Sequence, residues 1–157
     1  MSLGQAEPAE APGASGMDRD IIRQGFILIL LALLGGIAAP TVMANPRLGA
    51  GAHTIGLFGG LILIAIGATK PVFTLDRSLW RTMQVLWLWG TYGNWVGTML
   101  AGFTGASYLT PIAGAGTTGA AIAEIAVIGF FCAVGVTSVA GTLIAIYGLS
   151  GRGRGSS

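Results

Sequence analysis

Residues 45–60, NPRLGAGAHTIGLFGG, hold the only histidine of the chain, His53, within a run of small and apolar residues. Asn45 and Pro46 predict the start of a helix. An asparagine side chain accepts hydrogen bonds from the first free amides, and proline suits the first helical position. His53 then lies two turns along this helix, about 9 Å beyond the level of Arg47.

Glycines share the helix face of His53. Steps of three and four residues from it lead to Gly56, Gly60 and Gly67, so we expect the imidazole to face a groove lined by residues without side chains. An ionisable group inside a membrane is costly and usually functional. The pattern therefore predicts that His53 binds something bulky in this groove.

Composition places the chain in a membrane. Of its 157 residues 53% are hydrophobic and 9% are charged, against about 25% charged in ordinary globular domains. The mean hydropathy is +0.76. The net charge of +2 comes from basic residues that flank apolar runs, with no cluster typical of nucleic-acid binding. The single cysteine, Cys132, excludes an internal disulfide.

Apolar runs divide the chain into three parts. Residues 1–17 are rich in Ala, Glu, Pro and Gly and are interpreted as a disordered leader. Residues 18–150 form the membrane domain, and residues 151–157 a polar tail. Four runs are long enough to cross a core about 30 Å thick. They are residues 25–44, which read as a plain hydrophobic wall, and residues 48–69, 80–103 and 120–149.

Basic residues predict how these helices are oriented. Seven fall on one side of the spans, and Arg47 alone falls on the other. Because cytoplasmic loops carry the excess of Lys and Arg, both termini are expected in the cytoplasm. The seven are Arg19, Arg23, Lys70, Arg77, Arg81, Arg152 and Arg154.

Polar groups of the later spans lie at the depth of His53. Asn94 shares a stripe with Gly93 and Gly97, whose spacing allows helix backbones to approach closely. Together the four spans predict an all-α membrane four-helix bundle. Asn94 and Glu124 also have structural explanations, because membrane amides join helices and a carboxylate favours the start of a helix. The uncharged residues 102–121 suggest a lid or a partly re-entrant loop.

One histidine restricts the metal chemistry. A structural zinc site needs about four ligands, whereas haem needs one axial histidine and then keeps an open iron position for a substrate. A membrane cytochrome with a second ligand from Met43, Met83 or Met99 stays open. So does a non-enzymatic four-span subunit or small transporter, which would contain no haem.

Three stretches carry a resemblance to a known family: residues 45–68, WLWGTYGNWVGTMLAGFTGAS at residues 87–107, and PIAGAG at residues 111–116. They resemble hydroxylaminobenzene mutase and, more distantly, styrene oxide isomerase. The resemblance implies a bacterial inner-membrane isomerase of four helices, assembled as a homotrimer. It also implies haem b bound between subunits by one histidine, which His53 matches as the metal ligand.

Departures from the epoxide isomerase favour the mutase branch. Gly90 and Thr98 occupy the positions at which the resemblance implies an acidic residue and a tyrosine in the epoxide isomerase. Gly59 occupies the position of an asparagine in that enzyme. Asn94 keeps a shared asparagine. Tyr92 belongs to the same motif, although its helical angle points it away from the glycine stripe.

The resemblance implies a reaction on a small aromatic substrate. Ferric haem with an open position is a Lewis acid, and the expected reaction converts an aromatic N-hydroxylamine to a 2-aminophenol. Isomerisation of an aryl epoxide to an aldehyde is the alternative. The catalytic candidates are Asn94 and Tyr92, and the cofactor-binding candidates are His53, Gly56, Gly60 and Gly97.

Overall fold

The structure, a computed structural model, describes residues 16–151. This part of the chain contains helices and no strand, which confirms the all-α prediction. Most of the predicted leader and nearly all of the predicted tail lie outside the described residues. A single turn of 3-10 helix, Lys70–Val72, follows the second helix. The five α-helices are α1 (Arg19–Val42), α2 (Pro46–Ala68), α3 (Arg77–Thr104), α4 (Pro111–Gly114) and α5 (Ala121–Leu149).

Side-chain caps from Asp18, Asn45 and Asp76 mark the starts of α1, α2 and α3, and the cap at Asn45 confirms the start predicted from the sequence. The side-chain oxygen of Asn45 accepts hydrogen bonds from the amides of Arg47 and Leu48, at 3.0 and 3.2 Å. The carboxylate of Asp76 accepts the amide of Leu79 at 2.9 Å at the start of α3. Such caps satisfy amides that the helix itself leaves without partners.

Three of the described helices, α1, α2 and α5, are long and apolar enough to cross a membrane. Helix α3 is also long, at 28 residues, but it is less apolar than these three. Many large apolar side chains of α1 and α5 are exposed in the single chain, for example Ile37 at 77% and Val136 at 72%. Such surfaces suit contact with lipid or with another protein chain.

The four long helices pack in the order α1, α2, α3, α5. Extensive contacts join each neighbouring pair, whereas α1 and α3 meet over a small area. Within residues 16–151, α1 and α5 form no contact of comparable extent. The single chain is therefore an open row of four long helices. The prediction of an all-helical fold is confirmed, whereas the prediction that the helices close into a bundle is not.

Glycines of α2 bring α1 close. A Cβ added at Gly60 would lie 2.6 Å from the carbonyl oxygen of Gly25, and one at Gly56 would lie 2.5 Å from Cβ of Ala32. Gly67 meets Ile22 in the same way. The space along the glycine stripe is filled by α1, which corrects the expectation of an open groove there.

Asp18 joins three helices at one end of the molecule. Its carboxylate accepts hydrogen bonds from Trp80 Nε1 at 3.0 Å and from Gln84 Nε2 at 2.8 Å, and it pairs with Lys70 Nζ at 3.4 Å. Burial alone would raise the pKa of Asp18. The hydrogen bonds from Trp80 and the Ile21 amide, together with the charge of Lys70, outweigh burial and lower it below the ordinary value.

Asn45 closes the opposite end. It is 4% exposed, its amide nitrogen donates to Gly102 O, and its side-chain Nδ2 donates to Gly114 O and Thr117 Oγ1, all at 2.9 Å. Residues 105–120 are thus fastened over the start of α2.

Glu124 holds the same loop from the other side. Its carboxylate accepts the amides of Ser107, Tyr108 and Gly119, each at 3.0 Å. Glu124 therefore has a structural role that goes beyond the helix-end effect considered from the sequence, because it fixes the loop that leads into α5.

Candidate functional site

The imidazole of His53 is half-buried between α2 and α1. Its Nδ1 lies 2.9 Å from the carbonyl oxygen of Ala32. A carbonyl oxygen can only accept a hydrogen bond, so Nδ1 must carry the proton. In the neutral ring Nε2 then has a free lone pair, and within residues 16–151 no hydrogen bond engages it. Histidines that bind metals usually have this arrangement.

Gly36 makes room for the ring. A Cβ at this position would lie 2.5 Å from Nδ1 and 2.8 Å from Cγ of His53. Gly56 in turn allows Ala32 to approach α2, so that its carbonyl is within reach of the imidazole. Ala32 and Gly36 were not predicted as site residues, because the first span reads as a plain hydrophobic wall. The glycine pair at residues 35–36 was the available signal.

His53 has no cluster of metal ligands around it. Within the described residues no three His, Cys, Asp or Glu side chains lie close enough to hold a metal ion together. These residues therefore offer no site of three or more His, Cys, Asp or Glu ligands around His53. Haem can be held by a single histidine, and a half-buried imidazole whose Nδ1 proton is fixed by a carbonyl could supply that ligand.

Asn94 lines a separate cavity. This cavity of about 200 Å³ lies between α2, α3 and α5, and its walls include Thr54, Phe58, Trp87 and Ser138. His53 is not among the lining residues, although its neighbour Thr54 is. The structure therefore does not bring His53 and Asn94 together within one chain.

Tyr92 lies on another side of α3. Its hydroxyl lies 2.9 Å from the carbonyl oxygen of Gln24 and 3.1 Å from the side-chain oxygen of the same residue. This hydrogen bond ties α3 to the first turns of α1. Tyr92 also borders an open, mostly apolar cavity of about 490 Å³, with Trp89 and Phe130.

Gly97 packs where the glycine stripe predicts a close approach of helices. A Cβ at this position would lie 3.0 Å from Cβ of Phe130 on α5. Gly97, Gly56 and Gly60 thus all occupy contacts between helices of this chain, and their assignment to a cofactor site stays a prediction.

Known proteins similar to this chain support the resemblance. The family model described as styrene oxide isomerase matches residues 17–150. Hydroxylaminobenzene mutase HabB from Ectopseudomonas oleovorans is 40% identical over 107 residues, which are 68% of this chain and 65% of HabB. Hydroxylaminobenzene mutase HabA from the same organism is 38% identical over 100 residues, 62% of this chain and 72% of HabA. No solved structure matches.

These matches bear on the membrane domain. The chain spans a little less than two thirds of HabB, and the family match covers all five described helices. Both the family description and the names of the two relatives are those of isomerising enzymes, which supports the expectation of an isomerase. This chain belongs to the styrene oxide isomerase family.

Proposed function

We propose that this protein is a membrane isomerase that converts an aromatic N-hydroxylamine to a 2-aminophenol, with haem b bound through His53. The observation that carries the proposal is the hydrogen bond from His53 Nδ1 to Ala32 O, because it leaves Nε2 free to act as a ligand. The names of HabB and HabA support this substrate class.

The chain supplies His53 as the haem ligand, together with the residues that hold its imidazole in position. Ala32 O fixes the tautomer of His53, Gly36 leaves space for the ring, and Gly56 and Gly60 hold α1 at the required distance. When bound, ferric haem supplies a Lewis-acidic iron for the substrate oxygen. The reaction breaks the N–O bond and forms a C–O bond at the ring carbon ortho to the one that carries the nitrogen. The proton lost from that ortho carbon is balanced by one gained on nitrogen, so the substrate and the product have the same formula.

The cavity beside Asn94 is the proposed substrate site. Its volume of about 200 Å³ suits one aromatic ring, since cavities of about 150 Å³ hold benzene. The amide of Asn94 can both donate and accept hydrogen bonds, and it has no side-chain partner within the described residues. Phe58 and Trp87 provide apolar walls. Tyr92 remains a second catalytic candidate.

The proposed active site needs more than one copy of the chain. His53 faces α1, whereas Asn94 faces a cavity next to α5, and α1 and α5 lie at opposite ends of the helix row. Assembly of the row into a ring would bring these outer helices together and would cover their exposed apolar side chains. The proposed homotrimer rests on this arrangement and on the family resemblance.

The proposed topology has four membrane helices, including α3, with both termini in the cytoplasm of a bacterium. Helix α3 lies between two candidate spans and contacts both of them. Cysteines introduced at Arg47 and Tyr108 should react with a membrane-impermeant reagent only from outside the inner membrane. Labelling only from the cytoplasm would contradict the topology.

An aryl epoxide is the second candidate substrate. The match to the styrene oxide isomerase family covers nearly the whole described chain, and this favours testing it. The product would be an aldehyde, formed when hydride migrates as the epoxide ring opens.

His53 variants test the proposal. We expect His53→Ala to lose haem and turnover of N-phenylhydroxylamine, with partial rescue by added imidazole. His53→Gln is the matched control for packing, because its side-chain amide can still donate to Ala32 O but cannot replace the ligand. It should fold and also lack haem. Full haem content and full turnover in a folded variant would show that His53 is structural.

A further inference from the structure

A cavity at the Asp18 end of the molecule has no role in the proposed reaction. It measures about 220 Å³ and lies between the α2–α3 connection and the first turn of α3. Two of the residues that line it are cationic, and three are apolar or aromatic. The lining residues are Lys70, Phe73, Leu75, Arg77 and Trp80.

Both cations remain available to an anion. The side chain of Lys70 is 42% exposed, and its one ion pair among the described residues, with Asp18, is long at 3.4 Å. Arg77 is exposed, and no carboxylate lies within 4.0 Å of its guanidinium among residues 16–151. The carboxylate of Asp18 is shared with Trp80, whereas the adjacent Asp76 caps α3.

The cavity is held in shape by contacts on each side. The backbone amide and the hydroxyl of Thr74 both donate to Gly148 O, at 2.9 and 2.7 Å, so the connection is fixed to the end of α5. The rings of Phe73 and Trp80 lie 5.7 Å apart, and Lys70 Nζ lies 5.5 Å from the Trp80 ring centre. A ligand would therefore meet a Lys70 ammonium group that is already positioned.

The position of the cavity relative to the membrane indicates which anion it would meet. The cavity follows directly after α2, one of the candidate spans, and therefore lies where lipid headgroups are found.

We infer that this cavity binds the phosphate group of an anionic phospholipid. Lys70 and Arg77 would pair with the phosphate oxygens, while Phe73, Leu75 and Trp80 contact the glycerol and the first methylene groups. Basic pockets beside membrane helices recognise headgroups in this way. A soluble phosphate would use the cations but would gain nothing from the apolar wall. The site is independent of the proposed isomerase activity.

The test compares two single-charge variants of the full chain. Arg77→Gln removes a cation from the cavity, and Arg47→Gln removes one at the opposite end of the molecule. Binding of fluorescent phosphatidylglycerol is measured in neutral detergent, with phosphatidylcholine and inorganic phosphate as competitors. One cation near a membrane surface contributes about fivefold in affinity for anionic lipid. We expect this loss in Arg77→Gln and no loss in Arg47→Gln.

Other outcomes overturn the inference. Equal losses in both variants would mean that net charge alone attracts the lipid. Competition by phosphatidylcholine as strong as by unlabelled phosphatidylglycerol would mean that the site does not select an anionic headgroup over a zwitterionic one. Competition by inorganic phosphate at the same concentration would identify a soluble anion as the ligand. Circular dichroism of each variant shows that it is folded, and haem content, read in parallel, reports separately on the His53 site.

Discussion

Gly36→Ala should weaken haem binding without unfolding the protein. The new Cβ would lie 2.5 Å from His53 Nδ1, whereas non-bonded atoms normally approach to about 3.5 Å. The ring must therefore move by about 1 Å. Residue 36 lies inside α1, where alanine is more favourable than glycine by about 1 kcal/mol. Overpacking costs about 1–3 kcal/mol, so the net loss of stability stays at or below about 2 kcal/mol.

Gly36→Ala should lower the affinity for haem more than it lowers the stability of the fold. Movement of the ring breaks the 2.9 Å hydrogen bond to Ala32 O, which then no longer selects the tautomer with a free Nε2. Loss of such a supporting contact typically lowers metal affinity by about 10- to 100-fold. We expect a decrease of this size in the affinity of Gly36→Ala for haem.

The assay is titration of haem into apoprotein in detergent, followed by Soret absorbance, with a thermal melt of the same sample. Gly35→Ala is the matched control. Its Cβ would lie 3.2 Å from Cε of Met99, the flexible end of a side chain that can move aside. This variant should bind haem like the parent. Equal haem affinities of Gly36→Ala and Gly35→Ala would refute the proposed support of His53.

Three further predictions concern packing, the loop and pH. Gly97→Leu should separate α3 from α5 and lower the thermal midpoint, whereas Gly129→Leu, whose added Cβ has no atom within 4 Å in the single chain, should leave it near that of the parent. Glu124→Gln should speed hydrogen exchange at the loop amides that the carboxylate accepts, and unchanged exchange would contradict its role. Folding lowers the pKa of Asp18, so the stability that its ionised carboxylate adds to the fold is fully present above the unfolded pKa, about 3.9. This stability is lost as the pH falls through the lower pKa of the folded state. The difference in thermal midpoint between the parent and Asp18→Asn should therefore shrink below about pH 4, and a constant difference would argue against this.

Local chemistry made the helices predictable. The Asn45 cap beside Pro46 acts on amides two and three residues away, so a short sequence window reveals the start of α2. The lengths of the apolar runs, which are sufficient to span a membrane, predict the lengths of the helices. The observed starts of α2 and α3 accordingly lie within a few residues of the predicted spans.

Partners across helices were not predictable in the same way. Periodicity shows that His53, Gly56 and Gly60 share one face of α2, but it does not show which helix covers that face. Helix α1 covers it, and the carbonyl that orients His53 belongs to Ala32, a residue with no polar side chain. Every residue has a backbone carbonyl, so the sequence does not show which one will accept a hydrogen bond from a side chain.

The hydrogen bonds of Asn45 also constrain the order in which the protein can be assembled. They reach Gly114 and Thr117, 69 and 72 residues further along the chain. The chain is made from its N-terminus, so α1 and α2 leave the ribosome before these partners do, and water or headgroups must satisfy the side chain in the meantime. Closure over α2 is therefore a late step of biogenesis, completed only when the segment before α5 arrives.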